Sequence, residues 1–124
     1  MIKLVFTIRR RAGMTREEFQ RYWRDEHAPL VKRHAETLRI RRYVQTHARD
    51  TDLDAALAGA RGSEPRVFDG VAELWWDSLE DLIAASTSEA GRAAGQALLE
   101  DEQRFIDLAS SPISLGEENV VIGG

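Results

Sequence analysis

Along the first eight residues apolar and polar side chains alternate, with Ile2, Leu4, Phe6 and Ile8 at every second position of a run rich in β-branched residues. A period of two puts those four on one face of a strand, which the turn signals around Gly13 end. Thr15-Arg16-Glu17-Glu18 then reads as a capping box, in which the threonine hydroxyl accepts from the Glu18 amide and the Glu18 carboxylate reaches back. From there the period becomes helical. At ~100° per residue Phe19, Trp23 and Leu30 share one side, with Tyr22 and Glu26 on one flank and His27 on the other. Pro29 has no amide to give and its ring meets the carbonyl of Asp25, so the helix is expected to bend or break there.

A second strand is expected from Leu38 to Ala48, with Ile40, Val44 and Thr46 on one face and Tyr43, Gln45 and His47 on the other. The mixed, charged stretch over 49–66 reads as a connecting loop with a short helix at Leu53 to Ala58. Val67 to Trp76 is the third strand, apolar on both faces: Phe68, Gly70, Ala72, Leu74 and Trp76 alternate with Val67, Asp69, Val71, Glu73 and Trp75. Asp77-Ser78-Leu79-Glu80 opens a short helix, and Ser88 can cap a longer one running to about Ala109, with Ala94, Leu98, Phe105 and Leu108 facing the core. Pro112 stops it. Ile113 to Ile122 is the last strand, interrupted at Gly116-Glu117-Glu118 by a bulge or a crossing to another subunit.

The order β-α-β-β-α-β is that of an α+β, ferredoxin-like fold, a four-stranded antiparallel sheet with helices on one face. Its other face would carry Val and Trp side chains, and apolar surface of that extent marks an association site. Homodimerisation through the sheet faces, two sheets closing into one barrel, would cover it.

A chain of 124 residues is expected to be one domain. No apolar run approaches the ~20 residues of a membrane span. The chain opens directly on the first strand without signal-peptide features, from which a cytoplasmic location is expected. With no cysteine, disulfides, thiolate catalysis and cysteine-based metal sites are excluded. A net charge of −4 argues against nucleic acid as a partner, despite local clusters at Arg9, Arg10, Arg11 and Arg16 and at Arg39, Arg41 and Arg42. His27 and His34 would stand roughly 10 Å apart along a helix, too far to share a metal ion. The glycine-rich phosphate loops and the serine-hydrolase elbow are missing, so neither metal nor cofactor is expected.

The segment Glu18-Phe19-Gln20-Arg21-Tyr22-Trp23-Arg24-Asp25-Glu26-His27-Ala28-Pro29-Leu30, followed by Arg42-Tyr43-Val44-Gln45-Thr46-His47 and Phe68-Asp69-Gly70-Val71-Ala72-Glu73-Leu74-Trp75, resembles the EthD family. That family's pattern runs phenylalanine, tyrosine-tryptophan, then histidine-x-proline-leucine at this spacing. The resemblance extends over nearly the whole chain and is weakest over 49–66. It implies a single EthD-like domain over 1–124 that forms a dimeric α+β barrel. It also implies a group tied to ether and aromatic degradation and to polyketide tailoring, with relatives acting as cofactor-free isomerases, decarboxylases or dehydratases.

His27 is the candidate catalytic residue, because an imidazole can both take and return a proton near neutral pH. It is expected to project into a ligand-sized cleft between helix and sheet. Tyr43, Gln45 and His47 share a strand face and could bond a polar substrate atom. Tyr22, Trp23 and Trp75, with Phe68 and Trp76, could form an aromatic wall, Trp23 and Trp75 bounding the substrate's apolar part. Asp69 and Glu73 stand about 13 Å apart on one strand face, too far for a carboxylate pair. Either could still orient His27, Glu73 being the better candidate. Asp101 and Glu102 could reach the cleft from the second helix, although a charge run on a helix is ordinarily its wet side. The leading expectation is a cofactor-independent isomerase or lyase acting on a cyclic or aromatic oxygenated compound. Its rivals are a non-catalytic accessory protein that binds such a compound and an oxidoreductase of monooxygenase type.

Overall fold

Four strands pair antiparallel in the order β2-β3-β1-β4: β1 (Ile2–Ile8), β2 (Arg42–His47), β3 (Gly70–Trp76) and β4 (Ile113–Glu117). The structure, a computed structural model, describes residues 1–65 and 67–124, so Arg66, at the end of the expected connecting loop, lies outside the described residues. This is the ferredoxin-like arrangement the sequence predicts. The register sets Ile8 opposite Gly70, Phe6 opposite Ala72 and Leu4 opposite Leu74, while His47, Gln45 and Tyr43 sit opposite the same three β3 residues. Side chains alternate along a strand, so all of these share one face. Helices cover it: Ile8 and Ala72 join Phe19, Trp23, Phe105 and Ile106 in the buried core.

The first helix runs as α1 (Arg16–Tyr22), a π-helical segment Trp23–His27 and α2 (Ala28–His34). Its capping box is formed as predicted, with Thr15 Oγ1 accepting from the Glu18 amide at 3.1 Å and Glu18 Oε1 accepting from the Thr15 amide at 3.0 Å. Pro29 does not break the helix. The Ala28 amide instead reaches the carbonyl of Trp23, five residues back, and this widened turn makes room for the proline ring. The residue taken up by the wide turn rotates everything beyond it by about 100° relative to a plain α-helix. Buried positions therefore recur every four residues, at Phe19, Trp23, His27 and Val31. Read with an unbroken helical period, the sequence puts Leu30 in that stripe and His27 on its flank; the π segment moves His27 inward and exchanges Leu30 for Val31.

Three further α-helices follow among the described residues: α3 (Leu53–Ala60), α4 (Leu79–Thr87) and α5 (Glu89–Glu102), with Ser78 and Ser88 capping the last two. Several expected boundaries are too generous. β2 starts at Arg42 rather than Leu38, because Arg39 takes a left-handed turn (φ 58°) and the Ile40 amide closes back on Ala35. β3 starts at Gly70, since Asp69 is turned inward to accept from the Arg10 amide at 2.7 Å, Arg10 Nη1 at 2.6 Å and Arg16 Nε at 3.1 Å. The long helix ends at Glu102, not near Ala109, as Ile106 forms a bridge with Arg10 and the Asp107 amide bonds Arg9. β4 stops at Glu117 rather than Ile122, and Glu118 accepts from Trp75 Nε1 at 2.5 Å.

Candidate functional site

The wide turn also decides which polar groups meet. Tyr22 and His27 are five residues apart, which in a plain α-helix leaves them about 140° apart; the π segment brings them one turn apart on one side. Both bind one carboxylate on α5: Tyr22 Oη donates to Asp101 Oδ1 at 2.6 Å, and His27 Nδ1 lies 2.7 Å from Asp101 Oδ2. The His27 ring packs against Phe105, its centroid 5.0 Å away, and is 5% exposed. Burial pushes the imidazole below its ordinary pKa, more strongly than the Asp101 carboxylate raises it. The neutral ring, with Nδ1–H donating to Asp101, leaves the Nε2 lone pair free. Nε2 makes no hydrogen bond among the described residues, yet among them no side-chain nitrogen or oxygen is both sealed from solvent and unpartnered. The exposed remnant of the ring therefore includes Nε2.

Across from this triad, Tyr43, Gln45 and His47 form a second network on the helix-covered face of the sheet. Gln45 Nε2 donates to the Trp23 carbonyl at 3.0 Å and to Tyr43 Oη at 2.9 Å, and His47 Nε2 donates to Gln45 Oε1 at 2.8 Å. The sheet thus grips the carbonyl at the start of the π segment. The His47 ring lies 4.6 Å from that of Trp23. Trp23 itself is 1% exposed and serves as core. Gly70 gives it room: a Cβ there would come 2.7 Å from Trp23 Cη2 and 3.0 Å from the Thr46 carbonyl.

Glu73 and Trp75 do not join these residues. They occupy the opposite face of the sheet, where Glu73 pairs with Lys3, and Lys3 and Arg42 lie over the Trp75 ring. Neither Glu73 nor Asp69 orients His27; Asp101 does. Trp23 and Trp75 likewise stand on opposite sides of the sheet and cannot bound one substrate. Trp76 donates to the Leu38 carbonyl at 2.7 Å, and Phe68 lies under Arg9, so the expected aromatic wall is not assembled. A hollow of about 880 Å³ is lined by Arg16, His47, Asp50, Phe68 and Val71, and another of about 560 Å³ by Ala28, Pro29, Val31, Ile40 and Tyr43, among others. His27 borders neither, so it does not project into an open cleft; it lies beneath the surface. Among the described residues no three or more metal-ligating side chains come together, and no helix is long and apolar enough to cross a membrane.

Asp101 carried a signal that charge alone concealed. It lies seven residues after Ala94 and four before Phe105, so the helical period puts it on the core-facing side of α5, between two buried residues. Its neighbour Glu102 is half-buried and accepts no hydrogen bond from a side chain among the described residues, and its pKa is pushed up to about 7 by burial and then by Asp101.

A family model described as EthD domain matches residues 11–109. No curated protein matches the chain. Among solved structures, an ethyl tert-butyl ether D (EthD) family protein from Bacillus halodurans is similar with a TM-score of 0.63 at 21% identity, over 96% of this chain and 99% of that one. A dimeric protein of ferredoxin-like fold from Bacteroides fragilis gives 0.59 at 13% identity, over 94% and 95%. SnoaB, a cofactor-independent oxygenase from Streptomyces nogalater, gives 0.58 at 14% identity, over 99% and 97%. At these identities the structural likenesses establish the fold.

Proposed function

The chain belongs to the EthD domain family, and on that footing we propose that it is a cofactor-independent enzyme moving a proton on a small cyclic or aromatic oxygenated compound, with His27 as its base. The observation that carries this reading is the division of labour on one ring: Nδ1 is fixed by Asp101, and Nε2 has no hydrogen-bond partner among the described residues and is not sealed. A neutral imidazole so held has one tautomer and one direction for its lone pair. When Nε2 takes a carbon-bound or hydroxyl proton, the imidazolium forms 2.7 Å from a carboxylate that stabilises it. Tyr22, donating to the other oxygen of Asp101, keeps that carboxylate aimed. Return of the proton to a different atom gives isomerisation; loss of a leaving group gives elimination.

Val44 and Val71, half-buried on the far face of the sheet, belong to the surface through which a homodimer would form, closing two sheets into a barrel.

Turnover of a panel of lactones, hydroxyaromatics and polyketide-like acids by wild type, His27→Ala and Asp101→Asn tests the assignment. Loss of about 10²–10⁴-fold in His27→Ala is expected for a removed general base, with a smaller loss in Asp101→Asn. Turnover undiminished by His27→Ala contradicts it, and binding without turnover by either protein favours an accessory binding role.

A further inference from the structure

The hollow of about 880 Å³ has no part in the chemistry assigned to His27, which does not border it. His47 and Gly70, paired across the ends of β2 and β3, form one side; Ala55 on α3 and Pro65, Val67 and Phe68 before β3 form the rest. The state of the His47 ring follows from a chain of one-way bonds. The Trp23 carbonyl can only accept, so Gln45 turns its NH₂ group toward it at 3.0 Å and toward Tyr43 Oη at 2.9 Å. Gln45 Oε1 is left facing His47 Nε2 at 2.8 Å, and an amide oxygen there requires the imidazole hydrogen on Nε2. In the neutral ring Nδ1 therefore carries the lone pair. It has no hydrogen-bond partner among the described residues and is not sealed. Burial, and after it the Arg24 charge, lowers the pKa of His47 from the ordinary histidine value, which keeps the ring neutral near pH 7.

We propose that this hollow is a second binding site, for an uncharged compound whose hydroxyl donates to Nδ1 of His47 while its apolar body lies against Val67 and Phe68. A lone pair in a fixed direction selects a donor, and neither a carboxylate nor an ether supplies one. Val67 is 63% exposed, an apolar side chain on the wall that such a body would cover. The volume is that of a small-molecule site. An anion is not favoured: Arg16 is committed to Asp69 and Asp50, and Arg49 shares the wall with Asp52 and Asp54, so the described lining residues carry no net positive charge. The site stands apart from His27 and does not depend on the reading of that residue as a base.

The test is an NMR titration of the full chain with 2-naphthol, its methyl ether 2-methoxynaphthalene and the anion 2-naphthoate, in wild type, His47→Phe and Ala55→Trp. In wild type 2-naphthol should bind about tenfold more tightly than either of the others and shift the Nδ1 resonance of His47. His47→Phe keeps a ring against Trp23 but has no acceptor, so it should bind 2-naphthol and the ether alike. Ala55→Trp, at an exposed position on the wall, should weaken 2-naphthol about tenfold or more by filling the hollow. Should His47→Phe fail to fold, the wild-type and Ala55→Trp results still decide. Equal affinity for 2-naphthol and its ether in wild type, a preference for 2-naphthoate, or a neutral His47 ring with its hydrogen on Nδ1 overturns the proposal. So does undiminished binding in Ala55→Trp, which puts the ligand elsewhere, and so does the absence of 2-naphthol binding.

Discussion

Replacing Glu102 with glutamine preserves the shape of the side chain and removes its ability to ionise. In the folded protein this carboxyl is raised from 4.5 to about 7 by burial and by Asp101. A raised folded pKa means that the native state keeps a proton the unfolded chain has already lost. The stabilising contribution is therefore complete below the unfolded value and is lost as pH rises through about 7. The difference between the two values corresponds to about 3 kcal/mol. His27 acts in the opposite sense, its lowered pKa costing stability as pH falls below the ordinary histidine range, but it is present in both proteins and cancels in their difference. Urea unfolding followed by the fluorescence of the buried Trp23 and Trp76, at one protein concentration, reads this directly. At pH 5 the two proteins should unfold at similar midpoints. By pH 8.5 Glu102→Gln should be the more stable by about 2–3 kcal/mol, with unchanged m-values. Curves that remain parallel from pH 5 to 8.5 would refute the placement of Glu102 in a poorly solvated site beside Asp101.

Three further outcomes follow from the packing. Gly70→Ala should lower stability by about 1–3 kcal/mol in the same assay, because its Cβ collides with Trp23 and the Thr46 carbonyl; an unchanged midpoint would mean that Trp23 moves freely. Asp69→Asn should cost about 3 kcal/mol at pH 7 by weakening the buried bonds to Arg10 and Arg16. Burial works to raise the Asp69 pKa, but those bonds hold it below the ordinary carboxylate range, so its contribution is lost as pH falls through the folded value. The variant should accordingly show a flatter acid limb, and an acid limb like that of wild type would contradict the assignment. Val71→Glu, on the far face of the sheet, should turn a light-scattering dimer into a monomer; a wild type that is already monomeric at micromolar concentration would remove the proposed interface.

Much of the fold is legible in the chain because it rests on short-range patterns. The alternation of Ile2 to Ile8, the Thr15–Glu18 box and the serine caps each specify an element by local geometry, and the face assignments of β2 and β3 hold because a period of two leaves no third choice. Boundaries were set instead by tertiary bonds. Asp69 leaves the strand pattern to meet two arginines far away in sequence, and Ile106 leaves the helical one to bridge Arg10. The site was half legible for the same reason. Tyr22 and His27 stand out in the motif, but the π turn that aligns them follows from accommodating Pro29, and a constant helical period cannot show it. Asp101 sat on the core-facing side of α5 inside a charge run, and its partners came from another helix. Glu73 and Trp75 were grouped with His27 by chemistry alone, although the pleat had already assigned them to the other face.

Long-range ¹H–¹⁵N spectra of the His27 imidazole, recorded through a pH titration, bear most directly on the proton-transfer role. A neutral ring at pH 7 with hydrogen on Nδ1 and an unprotonated Nε2, titrating below the ordinary histidine value, is the predicted result. An imidazolium at pH 7, or a neutral ring carrying its hydrogen on Nε2, would contradict it.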